Sequence, residues 1–173
     1  MQWRVMVAGI LGFKLIAALA SLSAAEPARN EVEQLITRQA HAWESGEEAA
    51  FLDTLHADVV FAYPGKRLDR AGVLQIFRAW KRDFGDTRMT VFRTVIDGRR
   101  FAIEYTFATT NHASGTRTAA GTVAIGEVKD GKILVWKEYL DGRVSRMQAK
   151  GELPVDETAE PFPWPDTPES RQP

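Results

Sequence analysis

Between Asn30 and Ser45 the apolar positions recur at helical spacing. Val32, Leu35, Ile36, Ala40 and Trp43 fall on one stripe, with Gln39 on the same side. That period predicts a helix with one face to bury. Asn30 suits its N-cap, Glu33 completes a capping box, and Gly46 suits its stop. A short second helix is predicted over Glu47–Leu55, with Phe51, Leu52 and Leu55 inward. Val59–Tyr63 reads as a short strand ended by Pro64-Gly65. Asp69 caps a third predicted helix that runs to about Phe84 and turns Val73, Ile76, Phe77, Trp80 and Phe84 to one side. Its other side carries Arg70, Arg78, Lys81 and Arg82, near Lys66 and Arg67. Such a stripe is a solvated face, or it holds an anion.

From Thr87 the period changes to two. Asp97-Gly98, Ser114-Gly115 and Asp130-Gly131 separate Met89–Ile96, Arg100–Thr110, Thr116–Val128 and a final run from Lys132 to Asp141. Four strands joined by short polar turns make an antiparallel meander. Phe101, Ile103, Tyr105 and Phe107 alternate with Ala102, Glu104, Thr106 and Ala108, so one face is apolar and packs on the helices. Gly121 and Gly126 inside the third of these strands predict bulges or bends, hence a curved sheet. The expected fold class is α+β, a curved antiparallel sheet wrapped around about three N-terminal helices.

The two ends depart from this pattern. Residues 1–25 have a basic start, an apolar core at Leu15–Leu22 and small residues at Ser23-Ala24-Ala25, the form of a cleaved signal peptide. An uncleaved anchor is the rival, but Lys14 would lie mid-span, where charge is costly. Either way the expected location is secreted or periplasmic, membrane-anchored if the segment stays. Residues 26–150 form the expected domain. In 151–173, prolines at 154, 161, 163, 165 and 168 argue for a Pro-rich disordered tail.

Composition narrows the chemistry. A chain of 173 residues with a formal net charge of -1 gives no electrostatic case for nucleic acid. It has no cysteine, and its three histidines, His41, His56 and His112, form no ligand-spaced pair. No metal site and no cofactor is therefore expected. Five side chains are candidates for polar chemistry. Asp141 ends the last strand: inward, burial would suit it to proton transfer; outward, it would pair with Arg143 or a turn amide. Glu104 either faces a pocket or pairs across strands, for example with Lys137. His112, beside a turn, is a base near neutral pH or a solvated histidine. Glu138 shares a face with Leu134, Trp136 and Leu140, as a buried acid or at a rim, and Tyr63 can offer a hydroxyl to a ligand carbonyl. Trp43, Trp80, Tyr105 and Trp136 are expected in the core and as pocket lining.

Three segments carry a resemblance: His56-Ala57-Asp58-Val59-Val60 leading to Tyr63-Pro64-Gly65, then Phe101-Ala102-Ile103-Glu104-Tyr105, then Asp130-Gly131-Lys132-Ile133 through Trp136 to Glu138-Tyr139-Leu140-Asp141. In these, and in element order, the chain from about Glu31 to Met147 resembles the SnoaL-like group of the nuclear transport factor 2-like superfamily. The resemblance implies a cone-shaped fold with a cup for a small, largely apolar molecule, a possible homodimer, and no stable membrane span once the signal is removed. It does not fix the activity, because the fold hosts isomerases, cyclases, hydrolases and inactive binding proteins. The ketosteroid isomerase pattern is not matched: Tyr63 stands at the first-strand acid, and Val123 or Ala124 at the second. No Arg-x-Asp of the epoxide hydrolase kind lies on a strand. The acid/base Asp of SnoaL-like cyclases has its nearest match in Asp141. Three readings follow: a small-molecule pocket, a cofactor-independent isomerase, cyclase or hydrolase using acid/base carboxylates, or a non-catalytic dimerisation module.

Overall fold

The computed structural model describes residues 29–158. The signal-like segment and the end of the Pro-rich tail therefore lie outside the described residues. The order of elements is α1 (29–45), α2 (Glu48–Thr54), β1 (Leu55–Tyr63), β2 (Lys66–Leu68), α3 (Arg70–Asp83), β3 (Phe84–Asp97), β4 (Arg100–Asn111), β5 (Arg117–Lys129), β6 (Lys132–Leu140) and α4 (Gly142–Ala149).

The helices form for the reasons their sequences suggest. Along α1, Val32, Leu35, Ile36 and Gln39 are buried. Asn30 already lies within the helix, and Glu33 pairs with Arg29 at 3.0 Å. In α3, the Asp69 side chain accepts a hydrogen bond from Gly72 N at 2.8 Å, and Val73 and Phe77 are buried. The basic side of α3 is occupied by structural contacts. Arg78 holds Glu48 of α2 in a two-pronged ion pair, Lys81 donates to Gly46 O, Arg70 donates to Leu52 O, and Arg82 pairs with Asp83. These contacts account for the stripe without an anion.

The six strands form one curved, unclosed sheet in the order β2-β1-β6-β5-β4-β3. β3 through β6 are the expected meander. Asp130 and Gly131 both have positive φ, 51° and 71°, as a tight primed hairpin turn requires. The sheet is mixed rather than antiparallel throughout, because β1 runs parallel to β6, Phe61 beside Trp136. Pro64-Gly65 ends β1 at Tyr63 as expected, and the chain turns back there so that Lys66–Leu68 pairs with β1 as a three-residue edge strand. Register shifts at Val91/Arg93, Gly85/Arg88 and Glu127/Val128 bend the strands. Gly126 has a further reason: a Cβ there would meet Phe101 Cζ at 2.1 Å and Val135 O at 2.7 Å, so only hydrogen leaves room for the Phe101 ring.

The core lies between the concave side of the sheet and α1–α3. Phe51 stacks on Phe77 with ring centres 4.2 Å apart, and Trp43 meets both edge-on or tilted. Phe101, Ile103, Tyr105, Ile133 and Trp136 complete it from the sheet. A final helix, α4, was not expected from the apolar pattern. It packs on β5, and the Gln148 amide both accepts from Ala119 N and donates to Ala119 O, each at 2.9 Å. Beyond Thr122, β5 has no β6 partner, and Gln148 continues the ladder there as a strand would. The chain after α4 stays on this edge: Gln148 also donates to Pro154 O, and Glu157 pairs with Arg117 at 2.5 Å. Among the described residues no helix is long and apolar enough to cross a membrane.

Candidate functional site

The curvature of the sheet leaves a cavity of about 370 Å³ between its concave face and the helices. That is the lower end of the range for small-molecule sites. Two aromatic groups wall it. Trp43 and Trp80 come from α1 and α3, cross edge-to-face with centres 6.4 Å apart, and both contact Phe107 of β4. Phe61, Tyr105 and Trp136 come from β1, β4 and β6; Trp136 lies 6.3 Å from Phe61 and 6.4 Å from Tyr105. Leu140 and Ser145 close the side nearest α4.

One ionisable acid reaches this cavity. Glu138 is two residues beyond Trp136 on β6, so the strand's alternation turns both to the same face. Its Oε1 accepts from the Tyr105 hydroxyl at 2.7 Å and from Trp136 Nε1 at 2.8 Å. Among the described residues Oε2 takes no hydrogen bond. Burial raises the carboxyl pKa above its ordinary value, and the two donors oppose that shift in part. Tyr105 is pushed well upward, first by burial and then by the Glu138 charge beside it. The arrangement is a carboxylate fixed by two donors with one oxygen left over. It can hold a positive group, accept a hydrogen bond, or exchange a proton.

The other sequence candidates divide between this cavity and the surface. Tyr63, Trp43, Trp80, Tyr105 and Trp136 line this cavity together with Glu138. Asp141 does not: it is the N-cap of α4, accepting from Arg143 N at 2.9 Å and gripping the Arg143 guanidinium at 2.6 Å. These bonds lower its pKa to about 2, the opposite of what a proton-transfer acid needs at neutral pH. Glu104 faces the outer side of the sheet and pairs with Arg93 at 3.3 Å, not with Lys137, whose ammonium sits 5.3 Å from the Tyr139 ring. His112 is fastened at the junction of α3 and β3, its Nδ1 3.0 Å from Arg82 O and its backbone N–H donating to Asp83 O. The geometry thus offers no route from Asp141, Glu104 or His112 to the cavity. Thr122, Ser145 and Phe61 line it unforeseen. Phe107 and Leu140 were legible, since they share the strand parity of Tyr105 and Glu138. Among the described residues no group of His, Cys, Asp and Glu could hold a metal ion.

The cone of helices and curved sheet has many counterparts among solved structures. An epoxide hydrolase of LEH-like type from M. tuberculosis superposes with a TM-score of 0.63 at 19% identity, over 71% of this chain and 92% of that one. IdmH from Streptomyces antibioticus, a candidate polyketide cyclase, gives 0.62 at 20% identity over 68% and 97%. A protein of ketosteroid isomerase-like fold from Catenulispora acidiphila, in complex with trimethylamine, gives 0.62 at 15% over 67% and 92%. At these identities the likeness is one of fold. No curated protein matches by sequence. The SnoaL-like domain family does match, over residues 36–136, from the middle of α1 to Trp136 on β6. With more than half of the chain matched, it belongs to the SnoaL-like domain family, in the nuclear transport factor 2-like superfamily.

Proposed function

We propose that this SnoaL-like domain binds a small, largely apolar molecule in the cavity, with Glu138 as the polar anchor. The observation that carries this reading is a half-buried carboxylate, held by Tyr105 and Trp136, inside a cavity otherwise walled by aromatic, aliphatic and hydroxyl side chains. An ionised group kept out of water costs stability, and such groups concentrate where a ligand uses them. Three of the five tryptophans line the cavity, so their fluorescence reports its occupancy. A screen of small aromatic compounds should find binders, and Ala120→Phe, which fills the cavity, should weaken them at least tenfold with the fold intact. Undiminished binding by the filled variant would place the ligand elsewhere.

A second reading is cofactor-independent acid/base catalysis on the bound molecule. It is favoured by the raised pKa of Glu138 beside the Tyr105 hydroxyl, which brings a carboxyl closer to neutral pH. Turnover by the wild type, lost in Glu138→Gln while binding persists, would support it. Binding without conversion would leave the first reading alone. The proposal extends to export: a mature protein beginning at Glu26, found by N-terminal sequencing outside the cytoplasm, is the expected result. A homodimer would use the outer sheet face, where Val95, Ile125 and Tyr139 are exposed. Sedimentation at twice the mass of one chain checks it.

A further inference from the structure

The charge inventory of the cavity is one-sided. Of its sixteen lining residues none is Arg, Lys or His, and Glu138 is the one carboxylate. Four basic side chains around the cone are engaged outside it: Arg78 with Glu48, Arg82 with Asp83, Lys132 with Asp53 and Arg143 with Asp141. Tyr105 and Trp136 donate to one carboxyl oxygen, which favours the ionised form without supplying a counter-charge. Desolvating an ion without a partner costs several kcal/mol in general. A ligand that brings the missing charge recovers that cost. A neutral ligand seals the carboxylate away unpaired, and an anion meets it as a like charge.

The walls favour the same sign. Trp43, Trp80 and Phe107 on one side and Phe61, Tyr105 and Trp136 on the other supply ring faces, and tryptophan is the strongest side chain for attracting a cation. Ring faces also take up the apolar substituents of such a ligand. With Oε2 unbonded, a protonated amine could donate to it directly, and a quaternary ammonium could sit beside it without donating.

From this juxtaposition of one uncompensated carboxylate with two aromatic walls, we infer that the ligand is an organic ammonium cation carrying apolar substituents. The inference rests on the cavity reading above and names its ligand class.

The test compares benzyltrimethylammonium with neopentylbenzene, its neutral carbon isostere, and with phenylacetate, by calorimetry on the full mature chain. The cation should bind at least about tenfold more tightly than the isostere, as one desolvated cation–π contact suffices to give, and phenylacetate should bind most weakly. Glu138→Gln should reduce the preference for the cation, with the part owed to the ring faces remaining. Cation affinity should rise with pH as Glu138 ionises, while isostere affinity stays level. Tyr105 and Tyr63 are the other titratable groups on the cavity, and no charged side chain contributes to the Glu138 shift. Equal binding of cation and isostere would overturn the inference and leave the cavity reading in place. Failure of all three probes to bind, with no other compound entering the cavity, would overturn both. The wild-type comparison decides the matter even if the variant does not fold.

Discussion

At the scale of single residues the interior is built on paired polar groups. Gln39 and Thr54 are fully buried and in contact, and the Thr54 hydroxyl lies 2.7 Å from Phe51 O. One hydroxyl hydrogen cannot serve both acceptors. With Nε2 of Gln39 turned toward Thr54, the hydroxyl accepts from the amide and donates to Phe51 O, which satisfies the otherwise unpartnered Nε2. Thr54→Val should therefore cost about 1–3 kcal/mol, the cost of stranding a buried polar group, and adding Gln39→Met should recover part of it. Denaturant unfolding of the two single variants and the double variant checks this. Glu138 is the opposite case. Its raised pKa means that the folded state holds the proton more tightly than the unfolded chain. Stability must then fall as pH rises from the ordinary carboxylate range through the raised value. Glu138→Gln should be more stable than wild type at neutral pH, by about 0.5–2 kcal/mol, and the gain should vanish in acid. Melting temperatures from pH 4 to 8 would show it. Asp141 has the reverse sign. Its pKa of about 2 gives a contribution present above the ordinary carboxylate value and lost as pH falls toward 2. Asp141→Asn keeps a capping side chain and should leave ligand affinity unchanged.

At the scale of elements, what the sequence revealed depended on whether the signal was local. The apolar periods of α1 and α3 and the turns at Asp97-Gly98 and Asp130-Gly131 are local, and those elements stand within a few residues of expectation. β2 is three residues of mixed polarity, too short for any period to show. The parallel pairing of β1 with β6 joins Phe61 to Trp136 across most of the domain, and no turn chemistry announces a non-local pairing. α4 buries none of its residues fully, so it has no core-facing stripe to read. Its one legible sign was Asp141, which the strand before it claimed as a strand end. The outward alternative for Asp141, a pair with Arg143, is the one the structure shows, and the acid on the cavity is Glu138, three residues back. Gly126 was read as a bend, and its tighter constraint is the Phe101 ring. Gly126→Ala should destabilise by about 1–3 kcal/mol through overpacking, and Phe101→Leu in that background should restore part of the loss. Gln148→Ala releases the α4 clamp on the β5 edge, and α4 should then protect Ala119 from hydrogen exchange less well than in wild type.

At the scale of the whole molecule, the cone divides its chemistry by side. Ion pairs hold the outside: Arg78 to Glu48 between helices, Arg93 to Glu104 across strands, and Arg117 to Glu157 where the chain leaves α4. Aromatic, aliphatic and hydroxyl side chains with one carboxylate line the cavity inside. A shallower groove of about 510 Å³ between α1 and β3, lined by Ile36, Ala40, Met89 and Val91 with Glu33 and Glu44 at hand, is the rival place for a ligand. The most direct measurement is a crystal structure of the mature chain with a compound selected by tryptophan fluorescence. The compound should lie between the Trp43–Trp80–Phe107 wall and Trp136, with its polar group against Glu138 Oε2. A compound seated in the α1–β3 groove, with the cavity filled by side chains and Glu138 turned to solvent, would contradict the assignment of the site.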